Sequence, residues 1–314
     1  MKRLQNRIAE SGITLQIAIV YAVCVWTMAM FSSGTFHFLL PQLTCFVASI
    51  YLLVELSNSN ALLRIRSRMV SSTYIFLSCM YVGGLETLLD SLTEVGFIVT
   101  VLLLFKTYQD NRATGLTFYA FLSIGVSSLL FAPLLYLIPI LWILMYTQLQ
   151  SLNWRTLSAS LFGIILPYWC VSLWLIFLQD YSPMTDHLSE LIDFQHLFDY
   201  SSVTTEQVLV YLFLLSLTIA GITHFWYYSY EDKIRIRQLF GFFTFIVLIA
   251  LAGIALIPLH FNWLISIAII CASPIVAHFL TLTSSRASNI AFFVIISLCL
   301  LITAINLWMH FLSF

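Results

Sequence analysis

The sequence predicts an all-α, polytopic transmembrane helix bundle with about eleven membrane helices, its N-terminus in the cytoplasm and its C-terminus outside. Three observations carry this expectation. Of 314 residues, 61% are hydrophobic and only 9% charged, whereas a soluble domain carries roughly a quarter charged residues. A water-soluble fold of this length must present much of its surface to solvent, a constraint that lipid removes. The apolar runs are long and nearly continuous, as in residues 239–257, which hold no charge. A barrel would instead alternate apolar and polar residues over segments of roughly ten.

The third observation is the distribution of charge. Spans drawn at 13–31, 36–55, 70–89, 92–108, 115–131, 134–150, 156–178, 207–230, 238–257, 263–282 and 289–312 leave all 13 Lys and Arg residues on the side of Met1. The opposite side carries acidic residues alone, among them Glu86, Asp90, Glu94, Asp180, Asp186 and Glu206. Excess Lys and Arg mark the cytoplasmic side, and adding or dropping one helix would reverse every later loop. Gly83-Gly84 and Pro133 mark the two tightest turns between spans. The first run follows Lys2, Arg3 and Arg7 but is longer than a signal-peptide core, and Met28-Ala29-Met30 is not a small-x-small cleavage site. It reads as a retained membrane helix.

The chain therefore reads as a single integral membrane domain over 1–314. Only the external segment 179–206 is long enough to fold on its own. Ser182-Pro183 suits a helix start, and Leu188, Leu191, Ile192, Phe194, Leu197 and Phe198 follow at helical spacing among Asp186, Glu190 and Asp193. These predict a short amphipathic helix at the external interface. Thr204-x-x-Gln207 predicts a capping box for the next span. The likeness of 65–68 (IRSR) to 234–237 (IRIR) falls at an even offset of six helices. That offset does not suit an inverted repeat of five.

Ionisable groups within a membrane are the natural candidates for function. Glu55 ends the second span, where it either pairs with Arg64 or Arg66 or serves as an ion or substrate ligand. Glu86 and Asp90 lie four residues apart after a diglycine, as a solvated hairpin or a cation or proton site. His224 and His278 both fall in cytoplasmic halves of helices, where a facing pair would carry protons near neutral pH. Arg64, Arg66, Arg68, Arg235 and Arg237 suit phosphate or anionic lipid headgroups, although topology alone also calls for cations there. His187 beside Asp186 and Glu190 lacks zinc-protease spacing. The six cysteines all fall in apolar runs without C-x-x-C spacing. The sequence thus implies no metal, no cofactor and no catalytic residue.

The charge map also excludes. Enzymes that use polyprenyl-phosphate sugars on the outer face need cations there to hold phosphate, and this chain places none. Its first external loop, residues 32–35, lacks an acidic pair as well. Nucleophile-elbow, P-loop and dinucleotide motifs are absent. Nothing calls for nucleic acid as a partner.

Four stretches, 51–60 (YLLVELSNSN), 63–69 (LRIRSRM), 106–110 (KTYQD) and 149–155 (LQSLNWR), resemble a group of uncharacterised multi-pass inner-membrane proteins of Gram-negative anaerobes. The resemblance covers most of the first 170 residues. It implies a bacterial inner-membrane location and supplies no activity.

Three functions remain. The first is a non-enzymatic envelope protein, either a lipid carrier or a subunit of a membrane assembly, with membrane lipids or a protein subunit as partner. The second is an ion-coupled secondary transporter using Glu86/Asp90 or His224/His278. The third is a lipid-modifying enzyme at the cytoplasmic face, centred on Glu55 and the arginines at 64–68.

Overall fold

The computed structural model describes residues 4–33, 36–65, 67–81, 83, 87–191, 198–201, 203–283 and 286–312. Among them every regular element is helical. Among the described residues eight helices are long and apolar enough to cross a membrane, and three shorter apolar helices accompany them, so the chain is a multi-pass membrane protein. It forms two compact units, one comprising 1–91 and 199–314, the other 92–198.

The first unit holds α1 (Leu4–Glu10), α2 (Ile13–Ser33), α3 (Phe36–Asn60), α4 (Met69–Cys79), and the C-terminal helices α10 (Thr205–Tyr228), α11 (Ile234–Leu256), α12 (Phe261–Leu282) and α13 (Arg286–Leu312). Its centre is α12, whose membrane stretch is 89% buried. It packs against α4, α10 and α11. Gly221 of α10 makes one such approach possible, since a Cβ there would lie 2.9 Å from Ile275 of α12. The buried hydroxyl of Thr73 on α4 donates to the carbonyl of Ser273 at 3.0 Å. At the far end, Thr204 and Gln207 cap α10 reciprocally as the sequence predicts.

Within the span expected at 70–89, the continuous helix is shorter than drawn. The continuous helix α4 stops at Cys79, and eleven residues rise only about 17 Å. A tertiary interaction lies at its end: the Asn306 side chain donates to the Met80 carbonyl at 2.7 Å. The next residue, Tyr81, donates its hydroxyl to Asn262 at 2.6 Å. These bonds take Met80 and Tyr81 into side-chain contacts that helical periodicity does not reveal.

The second unit holds α5 (Leu88–Lys106) from residue 92, α6 (Thr114–Leu130), α7 (Leu137–Thr147), α8 (Trp154–Leu178) and the exposed α9 (Ser182–Ser189). A 3₁₀ turn at Ala132–Tyr136 carries Pro133 and leads into α7. Residues 192–197, which include Ile192, Phe194 and Leu197 of the expected amphipathic face, lie outside the described residues. Asn153 and Thr156 form a capping box at the start of α8. Helices α6 and α8 approach to backbone contact. A Cβ on Gly163 would fall 2.6 Å from the Phe118 carbonyl oxygen and 3.0 Å from the Leu122 nitrogen. Close approach through small residues is how helices associate in lipid, where apolar burial supplies no drive.

Gly163→Val should therefore force α6 and α8 apart and cost about 1–3 kcal/mol, read as a lowered melting temperature in detergent. Gly115→Val, where a Cβ meets nothing within 4 Å, should leave melting nearly unchanged.

Candidate functional site: a buried ionic clamp and an amphipathic cleft

The polar centre of the first unit forms where three chain segments end. Helix α3 finishes at Asn60, and Ala61 turns the chain with φ of 47°. Left-handed backbone at a helix end usually falls to glycine, and alanine there bears a cost of about 1 kcal/mol. The turn buries Leu62 and Leu63 and carries Arg64 towards the α10–α11 connection. That connection is short. A 3₁₀ turn, Ser229–Glu231, leads to Asp232 and then to α11.

Asp232 is the hub. Its side chain is 1% exposed. One carboxylate oxygen accepts from Arg64 Nε at 2.6 Å, and the other lies 3.1 Å from Nε2 of the fully buried His278. Arg64 also pairs with Glu231 and donates to the Tyr228 carbonyl at 3.3 Å. Burial pushes the Asp232 carboxyl up, but the hydrogen bonds from His278 and Arg64 outweigh it and hold the group below its ordinary value. An ionised carboxylate accepts only, so Nε2 of His278 must carry the proton it donates. A further proton on His278 would then go to Nδ1, which has no hydrogen-bond partner.

His224 of α10 lies beside His278, with ring centroids 5.7 Å apart, and its own Nδ1 also lacks a partner. The two residues sit one turn beyond the close contact of Gly221 with Ile275. Phe225 and Phe240 close around the His278 ring at 5.2 and 5.1 Å. A second tie runs alongside, as Arg235 of α11 donates to Asn60 Oδ1 at 2.9 Å.

Of the two partners expected for Glu55, Arg64 or Arg66, the first is corrected. Glu55 is exposed on α3, and Arg64 pairs with Glu231 and Asp232 instead, because the Ala61 turn directs the loop towards α11. Arg237 is exposed. Asp90 sits in the first turn of α5, where Thr87 donates to it. Glu86 and Arg66 lie outside the described residues. Sequence reading missed Asp232 altogether. The available signal was a Glu-Asp pair set between a histidine-bearing span and the basic start of the next.

Two cavities flank α2. One, of about 250 Å³, is almost wholly apolar and is lined from α1, α2, α4, α10, α12 and α13, with Ile17, Phe76, Leu280 and Phe292 among its walls. The other is a cleft of about 720 Å³ between α2, α3 and the α3–α4 loop. Its polar end has Glu10, Gln16, Asn58, Ser67 and Arg68, and its apolar flank has Ile19, Val47, Ile50, Tyr51 and Val54. The Ser67 hydroxyl donates to the Ala9 carbonyl, fastening the loop to α1. Val47 is 57% and Tyr51 68% exposed, so the apolar flank opens sideways.

No protein-family model matches this chain, and neither a curated protein nor a solved structure is similar to it.

Asp232→Asn should lower stability by about 2 kcal/mol, the scale of a hydrogen bond to a charged group. Because the folded carboxyl is held low, its contribution is complete above the unfolded value of about 3.9 and disappears as pH falls through the folded value. The melting difference between wild type and Asp232→Asn should be full at pH 7 and shrink below about pH 4. A difference that stays constant into acid would contradict the assignment.

Proposed function

We propose that this chain is a non-enzymatic lipid-binding protein of the bacterial inner membrane, a lipid carrier or the lipid-holding subunit of a membrane assembly. The observation that carries the reading is the α2–α3 cleft. It joins a polar end to an apolar flank that opens towards the surrounding lipid. From Asn58 to Val47, α3 rises about 16 Å, which is about half of a hydrocarbon core of roughly 30 Å. That is the depth of one leaflet, so the cleft matches a phospholipid in length as well as polarity. The apolar cavity on the other side of α2 suits a hydrocarbon chain.

In this reading the three shorter apolar helices, each extended by flanking chain, also cross the bilayer. The crossings then number about eleven, with Met1 and the arginine-bearing loops in the cytoplasm. A C-terminal alkaline phosphatase fusion should be active and a C-terminal fluorescent protein dark. The reverse pair of results would overturn the topology.

Native mass spectrometry of protein gently extracted from its own membrane tests the function. The reading expects a stoichiometric phospholipid adduct on the folded chain. Bare protein throughout would contradict it.

One observation favours a second reading, an ion-coupled secondary transporter. The group of half-buried His224 and buried His278 and Asp232 offers two unpartnered ring nitrogens beside an ionised carboxylate, the chemistry of a proton relay. In proteoliposomes, that reading requires a pH jump to drive uptake that His278→Ala abolishes.

A further inference from the structure

The arginines that the sequence offers to phosphate part ways in the fold. Arg64 is held by Asp232 and Glu231, and Arg235 by Asn60. Arg237 is exposed and lines neither cavity beside α2. Arg68 lines the α2–α3 cleft. It is half-buried, and its guanidinium makes no hydrogen bond or ion pair with the described residues. Glu10, the acidic residue of the same lining, already has an interaction within the protein. Among the described residues the lining therefore offers a ligand one uncompensated charge, a positive one, beside the amides of Gln16 and Asn58. The backbone adds to it. Arg68 is the N-cap residue of α4, whose first turn holds no acidic residue, so the partial positive charge of a helix N-terminus faces this end of the cleft. Ser67 fixes that terminus against α1, donating to the Ala9 carbonyl and accepting from the Met69 N–H at 3.2 Å. Ser71 in the same turn is fully buried, and its hydroxyl has no partner. The Cβ bonds of a helix tilt towards its N-terminus, so this hydroxyl is aimed at the same end.

We propose that Arg68 and the N-terminus of α4 form the phosphate site of the cleft, and that the cleft selects phospholipids of net negative charge. The inference rests on the lipid-binding reading above and adds the headgroup class and the residue that reads it. A guanidinium matches phosphate oxygens as a fork, and a helix N-terminus favours anions. A zwitterionic headgroup carries the same phosphate but brings an ammonium beside Arg68, where like charges repel and the carboxylate of the lining is already engaged. A lipid without phosphate leaves the guanidinium unpaired. The apolar flank, open at Val47 and Tyr51, takes the acyl chains, which commits the site to a lipid phosphate rather than the free ion.

The test uses the purified full-length chain, delipidated in mild detergent and titrated with phosphatidylglycerol, phosphatidylethanolamine or diacylglycerol of identical acyl chains, with adducts counted by native mass spectrometry. Phosphatidylglycerol should bind most tightly and diacylglycerol least. Arg68→Gln should weaken phosphatidylglycerol about tenfold and remove its advantage over phosphatidylethanolamine. Arg68→Lys, which keeps the charge and loses the fork, should recover part of that advantage. Arg237→Gln removes an exposed cation elsewhere and should leave all three lipids unchanged. Equal binding of phosphatidylglycerol and phosphatidylethanolamine by wild type, or an Arg68→Gln variant that melts like wild type and binds lipid as Arg237→Gln does, overturns the headgroup assignment alone. Failure of all three lipids to bind overturns the lipid-binding reading itself.

Discussion

A carboxylate buried at the edge of a low-dielectric medium must be paired, and the arrangement of the first unit follows from how Asp232 meets that demand. A buried carboxylate left without partners stays desolvated at a cost of several kcal/mol. Arg64 and His278 are therefore both tied to Asp232, at 2.6 and 3.1 Å. This joins the α3–α4 loop, the α10–α11 connection and the central helix α12 at one point. The loop that carries Arg64 inwards then continues to Ser67 and Arg68, which form the mouth of the cleft. The clamp thus fixes the cleft without lining it.

The cleft and the clamp divide the polar chemistry between them. The clamp is packed by aromatic rings and its ions are paired with one another. That suits a structural joint, with two ring nitrogens left open among the described residues. The cleft has room, a graded polarity and lateral access, and these suit an amphiphile. The apolar cavity lined by Ile17 and Phe292 lies across α2 from it, so α2 stands between two places where hydrocarbon can rest.

Much of this fold is legible in sequence because lipid imposes a simple rule. Backbone groups must pair within each segment, so long apolar runs become helices, and 239–257 lies wholly within α11 apart from its last residue. Helix ends are less legible where side chains decide them. Asn306 takes the Met80 carbonyl from 226 residues away, and no periodicity announces it. The facing of His224 and His278 could be considered from their matching depth in two spans. Asp232 was missed because the loops were read for cations, which report topology, rather than for carboxylates, which must find partners. Nearness in sequence offers Arg64 or Arg66 as partner for Glu55, whereas the left-handed Ala61, a residue that gives no turn signal, sends Arg64 to the α10–α11 connection.

The most direct test is a density map of the full-length chain held in discs of its native membrane. The account predicts elongated two-tailed density in the α2–α3 cleft, with its headgroup at the polar end and its chains along Ile19, Val47 and Val54. A cleft closed by its own side chains, or open with no ordered lipid, would contradict it.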